Sequence, residues 1–315
     1  MRAAMGVFAD APAARLLEAE RAVGGILSGL FLEKAAETEI ERFQRLYTQA
    51  VRKVFTAQYD AFEQIDIRAN LEDLLGEAER ILGKDLAGKL APETERYLKQ
   101  AFVTGKALRG IPQSVASSFA PTHGRAVEWL VDHDRFWIGK VFPEHMREGF
   151  RDTIVRGLEE GLGRKDIGRQ LRGLSFGTEE VPGKLELYNR VAASSVNRAR
   201  NWGGMFSLEE AEFEEYVFRA VMDQRTSRIC REMNGRVFSV PRVMDKVREA
   251  LDGLPSAIES VAPWPTFDRE RGDFFIRRAG GREYLSGRSR DWLEASGVAL
   301  PPLHGNCRSV IVPRR

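Results

Sequence analysis

Asp223-Gln224-Arg225-Thr226-Ser227-Arg228-Ile229-Cys230, together with the distant segment Pro301-Pro302-Leu303-His304-Gly305-Asn306-Cys307-Arg308, holds both cysteines of the chain and one of its four histidines. Tyr216–Met222, rich in aromatic and β-branched residues, leads into the first segment, and Ser309–Val312 follows the second. Runs of that kind favour strands. Asn234-Gly235 is a strong turn signal ahead of Arg236–Val240, which also has strand character. The expectation is a small antiparallel sheet of 216–222, 236–240 and 308–312 that brings Cys230, His304 and Cys307 to one place. Asp223, at the end of its strand, can accept backbone N–H groups of the turn that follows and can pair with Arg225 or with Arg308.

A strand, then Asp-x-Arg-Thr-Ser-x-x-Cys with Asn-Gly shortly after, then Pro-Pro-x-His-x-Asn-Cys-Arg, resembles the bacteriophage head-morphogenesis (Mu F-like minor head protein) family, from about Gly149 onward. Gly163–Arg172 resembles a short family helix that precedes the motif region. Many members carry Cys-x-x-Cys in the first segment, and Ser227 takes the first of those positions here. The resemblance implies a minor capsid protein of a tailed phage, prophage or phage-derived particle, present in few copies at the portal vertex and acting in head assembly or in DNA packaging and delivery. Its partners would be the portal protein, the major capsid protein and the packaged DNA; its place would be the virion, after assembly in the host cytoplasm. Domains of the family also occur in larger bacterial proteins that look like toxins. A phage-derived effector with catalytic activity is therefore one alternative, and a nucleic-acid-binding module is another.

At 315 residues and 43% hydrophobic, the chain can bury a core and hold two domains. A net charge of +2 gives no argument for a polyanion partner from the total. No run of about 18 apolar residues is present, so no membrane span is expected. Val23–Leu27 is a poor signal peptide, because Arg15, Glu18, Glu20 and Arg21 precede it closely and no small-residue cleavage site follows. Two cysteines in this length do not make a secreted disulfide scaffold, so a reducing compartment is the default.

Residues 1–11 are weakly patterned, and 13–34 read as a helix weakened at Gly24-Gly25. Ile40, Phe43, Leu46, Tyr47, Val51, Val54, Phe55, Tyr59 and Phe62 form a stronger helical stripe, a core face or a docking face. Asn70 fits an N-cap for 71–82, and Pro92 fits a first helical turn. The Pro- and Ser-rich run 110–123 reads as a linker. The division is then a helical domain 1–110 for docking and assembly, a linker 111–125, and a head-morphogenesis-like domain 126–315 with an arginine-rich insertion over about 241–300. Further helices are expected through 127–142, from Pro143 to Leu162, and from Leu185 to Gly203-Gly204. The last of these carries Arg190, Asn197, Arg198 and Arg200 on a polar face, either solvated or offered to portal, coat or DNA. His133 and His145 lie too far apart in sequence to share one helical face, and His123 stands alone in the linker.

The fold class is therefore a mainly α-helical N-terminal part with a small C-terminal α+β domain. Four readings compete at Cys230, His304 and Cys307. They are reduced packing, a zinc site in which Ser227 has replaced one ligand, a Cys230–Cys307 disulfide, and a catalytic Cys-His pair, which would need a third group to orient the base, a task the adjacent Asn306 does not fill. No complete catalytic set, phosphate-binding glycine loop or paired carboxylate motif is present, so no enzymatic activity is expected. In the insertion, Asp268–Arg290 holds seven arginines against four acids, with aromatics between them. Arg277, Arg278 and Arg282 are the candidates for contact with a phosphate backbone or an acidic partner.

Overall fold

Helix α6 (Leu185–Glu210) decides the architecture. From Ser194 to Leu208 every residue is buried, so the helix is covered on all sides. A helix of that kind is a central strut rather than an amphipathic surface element. In the computed structural model, which describes residues 41–54, 56–57, 60–61, 72, 76–77, 80, 85–137, 142–176 and 185–314, its neighbours include α1 (Asp85–Lys106), α3 (Pro121–Phe136), α5 (Arg164–Phe176), α8 (Val240–Asp252) and β6 (Val310–Arg314). Between these lie α2 (Gln113–Ala116), α4 (Phe142–Glu159) and α7 (Arg228–Met233). The helix expected at 13–34, the Asn70 cap and the side chains of His145 and Arg190 lie outside the described residues.

Among the described residues, α1 and α6 make the most extensive helix contact. Leu90, Tyr97, Leu98, Ala101 and Phe102 form the inward face of α1, and Val196, Ala199, Trp202, Met205 and Phe206 are buried on α6. The helices touch through backbone. A Cβ on Gly105 would stand 1.9 Å from Arg200 O, and one on Gly203 would stand 2.0 Å from Phe102 O. Gly203-Gly204, expected as the end of this helix, is therefore a point of close approach, and the helix continues for two more turns. Pro92, expected in a first turn, lies inside α1, which starts at Asp85.

The stripe on the helix over 43–54 turns inward, with Phe43, Tyr47 and Val51 buried, and so contributes to the core. Phe43–Arg315 forms one compact unit, so the segment 111–125, expected as a linker, lies inside it. It carries α2, and Pro121 opens α3. The buried Lys106 Nζ donates to Ser118 O (2.9 Å), Ser118 Oγ (2.7 Å) and Glu210 Oε2 (3.1 Å), and His123 Nε2 lies 2.6 Å from Glu210 Oε1. His123 Nδ1 accepts from Ala120 N at the start of α3. The histidine that stands alone in the sequence thus sits at a junction of α1, α3 and α6. Burial, and then the Lys106 charge, hold it below the usual imidazole range.

The C-terminal part carries two three-stranded antiparallel sheets. The first has the order β2-β1-β6, with β1 (Glu215–Arg219) paired to β2 (Val237–Ser239) on one side and to β6 on the other, in the register Tyr216↔Phe238 and Phe218↔Ile311. Tyr216 and Phe218 face the core while their neighbours are more exposed, the alternation of a half-buried strand. The second sheet lies in the arginine-rich insertion, for which the sequence indicated no strands. It is a meander of β3 (Thr266–Asp268), β4 (Asp273–Arg278) and β5 (Gly281–Tyr284), followed by α10 (Arg290–Ser296), with the short α9 (Ile258–Val261) before it. Phe274, Phe275 and Ile276 form its buried centre. No helix among the described residues is long and apolar enough to cross a membrane.

Candidate functional site

The chain leaves β1 and turns through residues 220–227. Arg225 N donates to Asp223 Oδ1 (2.9 Å), Asp223 N donates to Thr226 Oγ1 (2.8 Å), and the Thr226 hydroxyl donates to Val221 O. The side chains of Asp223 and Thr226 thus replace backbone partners that a turn cannot supply. Ser227 is the N-cap of α7, accepting from Cys230 N (3.4 Å), and this single helical stretch carries Ile229, Cys230 and Met233 into the interior. Asn234 Oδ1 accepts from Ala220 N (2.9 Å), and Gly235, at φ +82°, reverses the chain into β2. Only a residue that tolerates the left-handed region fits there.

The second segment arrives from α10. His304 O accepts from Cys307 N (3.3 Å), and Asn306 between them takes φ +59°. Asparagine visits this region more readily than most residues. The His-x-Asn-Cys spacing is therefore a turn that folds Cys307 back beside His304, and Asn306 serves it through its backbone. From α6, Asn197 Nδ2 donates to Cys307 O (2.9 Å) and Ser309 O (3.2 Å), and Asn201 Oδ1 accepts from Ile311 N (3.1 Å). The central helix thereby sets the position of the motif and the strand after it.

Three side chains converge. Cys230 Sγ stands 3.7 Å from Cys307 Sγ and 3.2 Å from His304 Nε2, and Ser227 Oγ is 2.8 Å from the same Nε2. His304 Nδ1 lies 2.6 Å from Gly305 O. A carbonyl only accepts, so Nδ1 carries a proton and Nε2 is the atom turned to the sulfurs. Both cysteines are free and buried; His304 is half-buried. The Cys307 thiol, donating to Cys230, and then His304 and Ser227 bring the Cys230 thiol down to about 4 against the effect of burial. Its partner Cys307 is pushed well up, first by that same bond and then by burial. Burial opposes charge on His304, but the Cys230 sulfur raises it on balance. The Cys230 and Cys307 sulfurs and His304 Nε2 converge, with all three atoms within 4.8 Å of one another. A nucleophile would need access to substrate, and Cys230 is 2% exposed.

Beside the cluster, Arg308 Nη2 donates to Asp223 Oδ1 at 2.6 Å, while Arg225 Nε is 4.0 Å from Asp223 Oδ2. Arg308, chiefly by its hydrogen bond, holds the Asp223 carboxyl at about 2. The insertion arginines are placed apart from this. Arg278 donates to the carbonyls of Ser260 and Ser296, Arg282 pairs with Asp268 (3.1 Å) and lies over the Phe275 ring, and Arg277 is exposed.

Sequence reasoning missed the polar interior of α6. Asn197, Arg198 and Arg200, expected on an exposed face, are all buried. Arg198 Nη1 lies 3.1 Å from His133 Nε2, and Asp134 accepts from Tyr47 (2.8 Å) and from Ser195. The available signal was the company these residues keep: Ala192, Ala193, Ser194, Ser195, Gly203 and Gly204 leave little bulk on the helix, as close packing on all sides requires.

Neither a curated protein nor a solved structure matches the chain. The family model for Phage Mu protein F like protein matches residues 148–312, which take in the whole central helix, both sheets but for the last two residues of β6, the turn at Asp223 and the whole Cys230–His304–Cys307 cluster. That match spans more than half of the sequence, and the chain accordingly belongs to the Phage Mu protein F like family.

Proposed function

We propose that the protein is a minor head protein of a tailed phage or phage-derived particle, built into the capsid in few copies at the portal vertex and acting in head assembly or in DNA packaging and delivery. The observation that carries this reading is the family match across 148–312, a phage head-morphogenesis family. The internal chemistry agrees with a structural role. The polar groups of the motif are spent on turn, cap and strand contacts within the chain, and the nucleophilic sulfurs are buried. Portal and major capsid proteins are the partners proposed. A DNA contact through the insertion would rest chiefly on Arg277, which is exposed although it lies 5.9 Å over the Phe275 ring, since Arg278 and Arg282 are held by a hydrogen bond and an ion pair within their own domain.

Quantitative mass spectrometry of purified particles tests the proposal by counting this chain against portal and coat proteins. A few copies per particle, co-purifying with the portal after partial disassembly, is the expected result. Complete absence from intact particles and from assembling heads would overturn it.

A further inference from the structure

Cys230 Sγ, Cys307 Sγ and His304 Nε2 are the one group of metal-ligand type found to converge among the described residues, with all three atoms within 4.8 Å of one another. The geometry points to a structural zinc-class site held by these three side chains, with the fourth position completed by Ser227 Oγ or a water that it holds. The site goes beyond the head-protein reading and forms in the free chain.

Four observations carry it. A tetrahedral ion with metal–sulfur bonds of about 2.3 Å holds its two sulfurs about 3.8 Å apart, and the sulfurs here are 3.7 Å apart. The imidazole is oriented as a ligand needs, with its Nδ1–H bonded to Gly305 O and its Nε2 aimed at Cys230. A disulfide would have no use for an imidazole so placed. Two sulfurs and one nitrogen select a borderline-soft ion over magnesium or calcium. Finally, Ser227 Oγ stands 2.8 Å from Nε2, on the half-exposed side through which an ion can enter. Binding would leave two thiolates and a neutral His304 around a dication, with the protons these groups carried released to solvent. It would tie the start of α7 to the loop before β6.

The test uses the full chain, reduced, stripped with a chelator and titrated with cobalt(II) and then zinc. One cobalt per chain is expected, with thiolate-to-cobalt charge-transfer absorption and tetrahedral ligand-field bands, displaced by one equivalent of zinc. Cys307→Ser should remove the charge-transfer signature or shift it to that of a single thiolate. Ser227→Cys should bind zinc at least about tenfold tighter, the scale on which a ligand's immediate partners tune affinity. This variant gains a property, so it remains informative if the cysteine deletions fail to fold. Uptake of no ion by reduced wild type, unchanged affinity in Ser227→Cys, or a Cys230–Cys307 disulfide in chain isolated without reductant would each overturn the site.

Discussion

Arg308 and Asp223 are joined by a 2.6 Å hydrogen bond between residues that stand 85 positions apart. Arg308 follows Cys307 directly, and Asp223 opens the turn that leads to Cys230, so the ion pair closes the same long loop as the sulfur cluster. Asp223 also holds its own turn through Arg225 N. One carboxylate thus fixes the local path of the chain and its distant partner together.

Asp223→Asn keeps an acceptor for the turn and loses the charge. Its melting temperature should be lower than that of wild type at pH 7. The folded carboxyl is held at about 2, below its unfolded value of about 3.9, so its contribution is complete above about pH 4 and is lost as pH falls toward 2. The gap between the two proteins in thermal melts should therefore narrow through that window. A gap that stays constant would show that the charge is not used.

Asp134 has the opposite sign. It is fully buried, and desolvation raises its carboxyl to about 6 despite the Ser195, Tyr47 and Arg198 groups that face it. The folded state then holds a proton that the unfolded chain releases from about pH 4 upward, and stability falls as pH rises to 6. His133, kept neutral by burial, slopes the other way as it loses stability toward low pH, so the comparison must be with a variant. Relative to Asp134→Asn, wild type should lose about 2 kcal/mol between pH 4 and pH 7, because the folded carboxyl keeps its proton to a pH about two units higher than the unfolded one does. Urea unfolding of both proteins across that range reads the difference directly.

Gly203→Ala should destabilise by about 3 kcal/mol or more, the upper end of overpacking costs, because the added carbon meets the Phe102 carbonyl and not a flexible side chain. Gly173→Ala, in α5 with open space around it, should be neutral or slightly stabilising in the same denaturation assay.

The first sheet and the convergence of its motif were legible because each strand carried β-type residues and Asn234-Gly235 marked the turn between β1 and β2. The second sheet was hidden by its composition. Its strands are short, and the arginines among them read as contacts for a partner, whereas Arg271 lies over the Tyr284 ring and Arg282 over Phe275 while both stay exposed. Guanidinium groups cover aromatic faces while leaving polar letters in the sequence. The same ambiguity concealed α6. Asn197 and Arg198 look like a wetted face until it is known that β6 lies against one of them and His133 against the other. Polarity in a helix records a need for hydrogen-bond partners, and those partners can be water or a distant segment of the chain.

The crossing at Gly105 and Gly203 bears on where this protein can be cut. Recognisable kinship begins at residue 148, but the helix that lies backbone to backbone against α6 ends at Lys106. A fragment trimmed to the region of kinship would leave α6 with Val196, Trp202 and Phe206 stripped of much of their cover and Lys106 missing from Glu210. Such a piece should come out of expression as aggregate. The smallest unit worth purifying starts upstream of Phe43, and an evolutionary exchange of this module between particles would have to carry the earlier helices along with it.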